Sequence, residues 1–124
     1  MPQSTERRRH PRYEVRIPVT LVAAADAGTV FTASMRDLSE GGCYFQAALP
    51  GLDFSSVSLS FRRTLRAPQV AGHVVRRVDS DGFAVRFDEP GPELARMVSA
   101  LGALTPTLRG DFVSRFLDPA VEIS

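Results

Sequence analysis

The chain has 124 residues, which is enough for one domain with a single hydrophobic core. Its hydrophobic content of 44% and charged content of 23% are typical of a globular protein and exclude wholesale disorder. The formal net charge of +1 gives no long-range attraction toward DNA, so we expect no nucleic-acid polymer as a partner. No apolar run approaches the roughly 18 residues that span a bilayer, and we expect no membrane insertion.

Cysteine and histidine are too sparse to build a metal site. Cys43 is the single cysteine, so an internal disulfide and a four-cysteine zinc site are both excluded. His10 and His73 lie far apart in the sequence, and neither has a second ligand at metal-binding spacing. The polar N-terminus does not resemble a signal peptide, and we expect a cytoplasmic protein with no metal and no cofactor.

The first predicted element follows a short polar tail at residues 1–6. From Glu14 on, apolar and polar residues alternate strictly, which predicts a half-buried strand. Pro18 falls on the outward-facing set and suggests an edge or a bulge, because it cannot donate a ladder hydrogen bond. The inward-facing set of this strand is Val15, Ile17, Val19 and Leu21.

Five further strands follow at short spacing, separated by turn sequences. They are predicted at 29–36, 43–49, 57–62, 66–78 and 83–87. The turns contain Gly, Pro, Asp or Ser, as in "SEGG" at 39–42 and "DSDG" at 79–82. Six short strands of this kind indicate an antiparallel barrel or sandwich.

The C-terminal part has helical periodicity instead. Residues 89–104, "EPGPELARMVSALGAL", carry apolar residues at helical spacing, and Pro92 suits the first turn. A second helix is predicted at about 107–117, although Gly110 weakens the pattern. Its apolar face could pack on the strands or on a second copy of the chain, so monomer and homodimer stay open. That face consists of Leu108, Phe112 and Phe116.

Two short stretches could carry chemistry, and the first is "RRHPR" at 8–12. Arg8 and Arg12 are four residues apart, and Pro11 disfavours helical backbone at His10, so the segment is extended or turned. Two guanidinium groups presented in this way suit a phosphate or the O6/N7 edge of guanine. A solvated basic arm without a fixed ligand is the alternative.

The second stretch is "DLSEGG" at 37–42, a polar turn between two strands. The Asp37 carboxylate can accept N–H donors such as those of guanine, and the Ser39 hydroxyl can donate to a phosphate oxygen. Gly42 allows a close backbone approach or a positive φ. A plain β-turn uses the same residue types and is the alternative.

Taken together, these stretches resemble the PilZ domain family. An Arg-x-x-x-Arg pair precedes the first strand, and an Asp-x-Ser-x-x-Gly turn follows the second, with no departure at a defining position. The later "GHVVRR" and "GFAVRF" segments are also similar to strands of that family. The resemblance covers about 7–104 and implies a mainly β fold, a six-stranded antiparallel β-barrel with a C-terminal helix or helices.

The resemblance also implies a ligand, the bacterial second messenger cyclic di-GMP (c-di-GMP). An Arg directly before the first motif arginine favours a pair of ligand molecules in relatives, and Arg7 holds that place, so one or two ligands per chain stay open. The implied domains are a tail at 1–6, a PilZ-like domain at 7–104 with a ligand-binding arm at 7–13, and a helical extension at 105–124. The implied ligand-binding residues are Arg7, Arg8, Arg12, Asp37, Ser39, Gly41, Gly42, Gly72 and Val74.

The sequence therefore predicts a receptor and not an enzyme. No phosphate-binding glycine loop and no Ser-His-Asp set are visible, and no second effector domain follows in this chain. We expect the signal to pass to an unidentified protein effector when the ligand orders the arm. A PilZ-fold interaction adaptor that binds no nucleotide is the alternative. A nucleic-acid-binding barrel is disfavoured by the near-zero net charge.

Overall fold

The structure is a computed structural model. The part of the chain that it describes contains seven strands, two α-helices and one turn of 3-10 helix. The described residues are 10–24, 29–48, 53–61, 69–78 and 81–124. The elements in chain order are β1 (Tyr13–Ala23), β2 (Val30–Leu38), β3 (Gly42–Gln46), β4 (Ser56–Ser60), β5 (Gln69–Val78), β6 (Gly82–Phe87), α1 (Gly91–Ala100), the 3-10 turn (Leu101–Ala103), α2 (Pro106–Ser114) and β7 (Ala120–Ile123).

Burial along the strands follows the period-two pattern of the sequence. The four predicted inward residues of β1 are at most 4% exposed, while Arg16 and Pro18 between them face solvent. The β1–β2 register shifts between Glu14 and Ile17, so an irregularity does lie next to Pro18.

Aromatic residues fill part of the barrel interior. Phe45 on β3 packs against Phe83 on β6, with ring centroids 5.3 Å apart. Phe54, just before β4, meets Phe83 edge to face at 4.9 Å. The predicted inward positions of β6 are confirmed, because Phe83, Val85 and Phe87 are all buried.

The strands close into a barrel in the order β1-β2-β3-β6-β5-β4-β7, with β7 returning to β1. The mainly β class and the barrel are therefore confirmed, but the predicted number of six strands is wrong. The seventh strand, β7, pairs in parallel with β1 and antiparallel with β4. Without β7, strands β1 and β4 would each present unpaired N–H and C=O groups, and a barrel gains by having no such edges.

The segment at 105–124, predicted as a helical extension, thus supplies α2, which packs on β1, and β7, which joins the barrel wall. The alternation of apolar and polar residues in β7 covers only four positions. Val121 and Ile123 are buried, while Ala120 and Glu122 are exposed. Four alternating residues after a helix are too few to distinguish from a frayed end by pattern alone.

Helix α2 packs against the barrel through its apolar face. Val113 is fully buried, and Phe112 and Phe116 lie against the same core. These residues therefore pack on the strands of their own chain, the first of the two predicted alternatives. Gly110, which weakened the helical pattern, is buried against β1, where an added Cβ would lie 3.4 Å from the Arg16 carbonyl oxygen. Leu108 remains 51% exposed and does not share in this packing.

Helix α1 buries Leu94, Met97 and Val98, as the helical spacing predicts. Pro92 lies in its first turn, where its missing N–H costs nothing. Among the described residues, no helix has the length and apolarity needed to cross a membrane.

Candidate functional site

A cavity of about 800 Å³ opens on the barrel surface, between the segment before β1, the β2–β3 turn and strands β5 and β6. Its volume lies within the ~300–1,000 Å³ typical of small-molecule sites. Segments far apart in the sequence meet here. The lining residues are His10, Arg12, Asp37, Ser39, Gly41, Gly42, Cys43, Tyr44, Val75, Ala84, Val85, Arg86, Phe87 and Pro90.

Strand pairing explains why the arginine arm lies beside the turn. Strands β1 and β2 are antiparallel, and Tyr13 at the start of β1 pairs with Leu38 at the end of β2. Arg12, directly before β1, therefore lies next to the turn that follows β2, and Asp37 lies in the last pairs of the same ladder. Topology thus brings Arg12 and Asp37 to one cavity, the arrangement that the resemblance to the PilZ family implies. Arg7 and Arg8 lie outside the described residues.

The β2–β3 turn is held together by one buried hydroxyl. The Ser39 side chain accepts hydrogen bonds from the backbone N–H groups of Gly41 at 3.2 Å and Gly42 at 3.1 Å. It also donates to the Gly42 carbonyl at 3.2 Å. In addition, the Phe87 N–H donates to the Gly41 carbonyl at 2.8 Å, which fastens the turn to β6. Ser39 therefore lines the cavity while its hydroxyl holds the turn in shape.

Close packing, and not a positive φ, accounts for the two turn glycines. A Cβ on Gly42 would lie 2.1 Å from the Val85 carbonyl oxygen on β6, a distance that no side chain tolerates. A Cβ on Gly41 would lie 2.9 Å from the His10 ring, so the arm packs directly on this glycine. Among the described glycines, only Gly91 has a positive φ.

A weak ionic contact also joins the arm to the turn. The His10 Nδ1 atom lies 3.8 Å from a Glu40 carboxylate oxygen, and both side chains are partly exposed. An exposed pair of this kind contributes at most about 1 kcal/mol when His10 is protonated. The packing of His10 on Gly41 therefore positions this end of the arm more strongly than the ionic contact with Glu40 does.

Two further predicted ligand residues, Gly72 and Val74, are not in the cavity lining. Gly72 is buried in the β5–β6 pairing, where a Cβ would lie 2.7 Å from the Arg86 carbonyl oxygen. The β5–β6 register shifts between Val74 and Arg76, and Val75, the intervening residue, lines the cavity instead. An extra residue of this kind re-aims the side chains of a strand, and no local pattern indicates it at Val75.

Sequence reasoning did not predict several residues of the cavity lining, among them Tyr44, Ala84 and Arg86. These three alternate with buried residues of β3 and β6, so strict alternation could have placed all three on the outer face. Alternation could not have shown that β3 and β6 are adjacent, which is what brings the three together.

The Tyr44 hydroxyl donates a hydrogen bond to a carboxylate oxygen of Asp81. Burial of the side chain, together with this bond, raises the pKa of Tyr44 to about 12. The phenol therefore stays protonated and tied to Asp81 through the physiological pH range.

Cys43 borders the cavity but is not poised for chemistry. The side chain is buried in the core, and burial, followed by the negative charge of Asp37, raises the pKa of its thiol well above the ordinary value. A protonated, buried thiol is a poor nucleophile. The described residues also contain no group of three metal-ligating side chains.

The cavity combines cationic, anionic and aromatic groups within one site. Arg12 and Arg86 offer planar guanidinium forks that suit phosphate oxygens or the acceptor edge of a purine. Asp37 offers a carboxylate that can accept from N–H donors. Such a lining suits a compact ligand that carries negative charge together with N–H groups.

Comparison with known proteins agrees with this arrangement. A family model described as the PilZ domain matches residues 6–101. A comparison with curated proteins found no match. Because the matched range spans most of the chain and includes the arm, the turn and strands β1 to β6, this chain belongs to the PilZ domain family.

Proposed function

We propose that this chain is a receptor for c-di-GMP and that the ligand binds in the cavity between the arm and the β2–β3 turn. PilZ domains generally bind c-di-GMP, which supplies the ligand class. The observation that carries the proposal is the convergence of Arg12 and Asp37 on one cavity of about 800 Å³. A cavity of that size suits a dinucleotide.

Each motif residue has a role that its chemistry allows. The Arg12 guanidinium donates to a phosphate or to a guanine O6/N7 edge, and the Asp37 carboxylate accepts from guanine N–H groups. Gly41 and Gly42 let the arm and β6 pack closely on the turn that borders the ligand, and Ser39 holds this turn in shape. Arg7 and Arg8 remain predicted ligand residues on the same arm, with Arg7 the residue that favours a second ligand molecule.

The arm also offers a route for passing the signal to a protein effector. His10 and Arg12 belong to the arm and border the cavity, so a ligand held by Arg12 also constrains the backbone at His10. Constraint of a charged segment by a ligand of opposite charge changes the surface that a partner meets. We expect amide hydrogen exchange at 7–13 to slow when c-di-GMP is added, and unchanged exchange would contradict ordering of the arm.

The deciding experiment is isothermal titration of c-di-GMP into the full chain and into Arg12→Ala and Asp37→Ala variants. Loss of one charge-assisted contact costs about 1.5–3 kcal/mol, so each variant should bind roughly ten- to a hundred-fold more weakly. Arg115→Ala and Asp111→Ala are the matched controls, because both residues are exposed and outside the cavity lining. The controls should bind like the parent chain.

The same titration gives the number of ligands per chain and can overturn the proposal. Absence of binding heat, together with an unchanged melting temperature at high c-di-GMP, would exclude a receptor function. The chain would then be an interaction adaptor of PilZ fold, and the search would move to its protein partner.

A further inference from the structure

Tyr44 is the one tyrosine, phenylalanine or tryptophan among the described lining residues of the cavity that does not belong to the buried core. It lies on β3, paired with Asp37 of β2 on one side and with Ala84 of β6 on the other. Its neighbours Cys43 and Phe45 point into the barrel, so the Tyr44 side chain is on the outer face with the cavity.

The bond to Asp81 fixes the direction of this side chain. Asp81 precedes β6, three residues before Ala84, and so lies ~10 Å along the strand from the Tyr44–Ala84 pair. To reach Asp81, the tyrosine must lean along the strand instead of standing perpendicular to the sheet. One side of the Tyr44 ring then borders the cavity, while the hydroxyl at the end of the side chain is hydrogen-bonded to Asp81.

Small and apolar side chains continue this surface across the neighbouring strands. Ala84 lies next to Tyr44 and leaves space above the sheet, and Val75 on β5 is 50% exposed at the same cavity. We name Tyr44, Ala84 and Val75 the apolar strip. It extends over the adjacent strands β3, β6 and β5, a width of about 10 Å. Asp37 lies on the flanking strand β2, and Arg86 lies on β6, two residues beyond Ala84.

We propose that the apolar strip carries the flat face of one guanine base of the ligand, with Tyr44 as the stacking residue and Asp81 as the residue that positions its ring. The inference rests on the proposed function, since it assigns a place to a base of c-di-GMP. An exposed valine beside a tied-down tyrosine would otherwise leave apolar surface in water inside a polar cavity. A purine face covers that surface and leaves the edges of the base free for Asp37 and the arginines.

The test is titration of c-di-GMP into Tyr44→Leu, Tyr44→Phe and the parent chain. Base–aromatic stacking accounts for about a 5- to 150-fold change in affinity, so Tyr44→Leu should weaken binding by a factor in that range. Tyr44→Phe keeps the ring and should bind within several-fold of the parent. Melting temperatures of each variant without ligand show whether the barrel is intact.

A double-mutant cycle tests the role of Asp81. Asp81→Ala should weaken binding in the parent chain but have little further effect in Tyr44→Phe, because the hydrogen bond is already absent there. Equal effects in the two backgrounds would contradict a positioning role for Asp81.

Proton NMR of the tyrosine rings provides a readout that a purely structural role would not move. The chain has two tyrosines and no tryptophan, so Tyr13→Phe assigns the Tyr44 signals without ambiguity. Stacking of a purine should shift the Tyr44 ring signals upfield on addition of c-di-GMP. If the parent binds but these signals stay in place and Tyr44→Leu binds normally, the inference is wrong while the proposed function stands. Absence of c-di-GMP binding by the parent chain would contradict both the inference and the proposed function.

Discussion

At the scale of single residues, the surroundings decide which of several possible roles a side chain performs. The Ser39 hydroxyl could donate to a phosphate, yet in the structure it is 7% exposed and bonded to Gly41 and Gly42. Its role in holding the turn is therefore established by geometry, and a direct contact with ligand stays a prediction. Cys43 shows the same dependence, since burial, followed by the charge of Asp37, keeps its thiol protonated and unreactive.

Tyr44 allows a pH prediction at this scale. Its folded-state pKa of about 12 lies above the ordinary value of 10.0, because burial and the bond to Asp81 favour the neutral phenol. The stabilisation is fully present below pH 10 and is lost as pH rises toward 12, since the unfolded chain releases this proton first. In Tyr13→Phe, the ultraviolet absorbance of tyrosinate should therefore appear with a midpoint near pH 12.

Removing the partner of Tyr44 is the corresponding control. Asp81→Ala should lower that midpoint, because Asp81 raises the pKa of Tyr44 through both its hydrogen bond and its negative charge, whereas the contribution of burial remains. A midpoint at the ordinary value in the folded Tyr13→Phe chain would show that the Tyr44 hydroxyl is neither buried nor bonded to Asp81.

At the scale of elements, the site depends on how closely β3 approaches β6. Gly42 pairs with Arg86, and the Val85 carbonyl occupies the space where a side chain of residue 42 would lie. The same approach places the outer faces of the two strands side by side, with Tyr44 next to Ala84. The turn glycine is thus a packing requirement of the barrel as well as part of the ligand motif.

Substitution at Gly42 should accordingly affect folding before it affects binding. Gly42→Ala forces the β3 and β6 backbones apart, and overpacking of this kind costs about 1–3 kcal/mol of unfolding free energy. Gly102→Ala is the matched control, because Gly102 is exposed and its nearest contact is the Tyr13 hydroxyl at 3.4 Å. Urea denaturation should show a clear loss for Gly42→Ala and a change within about 1 kcal/mol for Gly102→Ala. Equal stability of both variants would contradict the close approach.

At the scale of the whole molecule, the C-terminal residues complete the barrel that supports the site. Strand β7 fills the gap between β1 and β4, and α2 packs on β1. The arm leads directly into β1, so the same strand that carries Arg12 to the cavity is braced at its other end by β7. Stability of the site and closure of the barrel are linked through β1.

Truncating a buried side chain of β7 tests this closure. Ile123 is 1% exposed and pairs with Val57 and Ala23, so Ile123→Ala should cost about 2–5 kcal/mol of unfolding free energy. Glu122→Ala, on the exposed face of the same strand, should change stability by about 0.5 kcal/mol or less. Similar small losses for both variants in urea denaturation would show that β7 is not part of the barrel wall.

The sequence by itself determined the class of the fold and the two motifs of the site. Alternation in β1 and β6 is a local property, so it predicted which residues face the core, and the helical spacing of α1 did the same. The resemblance to the PilZ family predicted one site for Arg12 and Asp37, and both residues line the same cavity.

Only the tertiary structure decided the remaining features, because they depend on which strands become neighbours. The adjacency of β3 and β6 brings Tyr44 and Arg86 to the cavity. The irregularity in β5 places Val75, and not Val74, in the cavity lining. The parallel pairing of β7 with β1 joins two ends of the chain that no local pattern connects. Local periodicity sets the direction of a side chain, whereas long-range hydrogen bonding sets what that side chain meets.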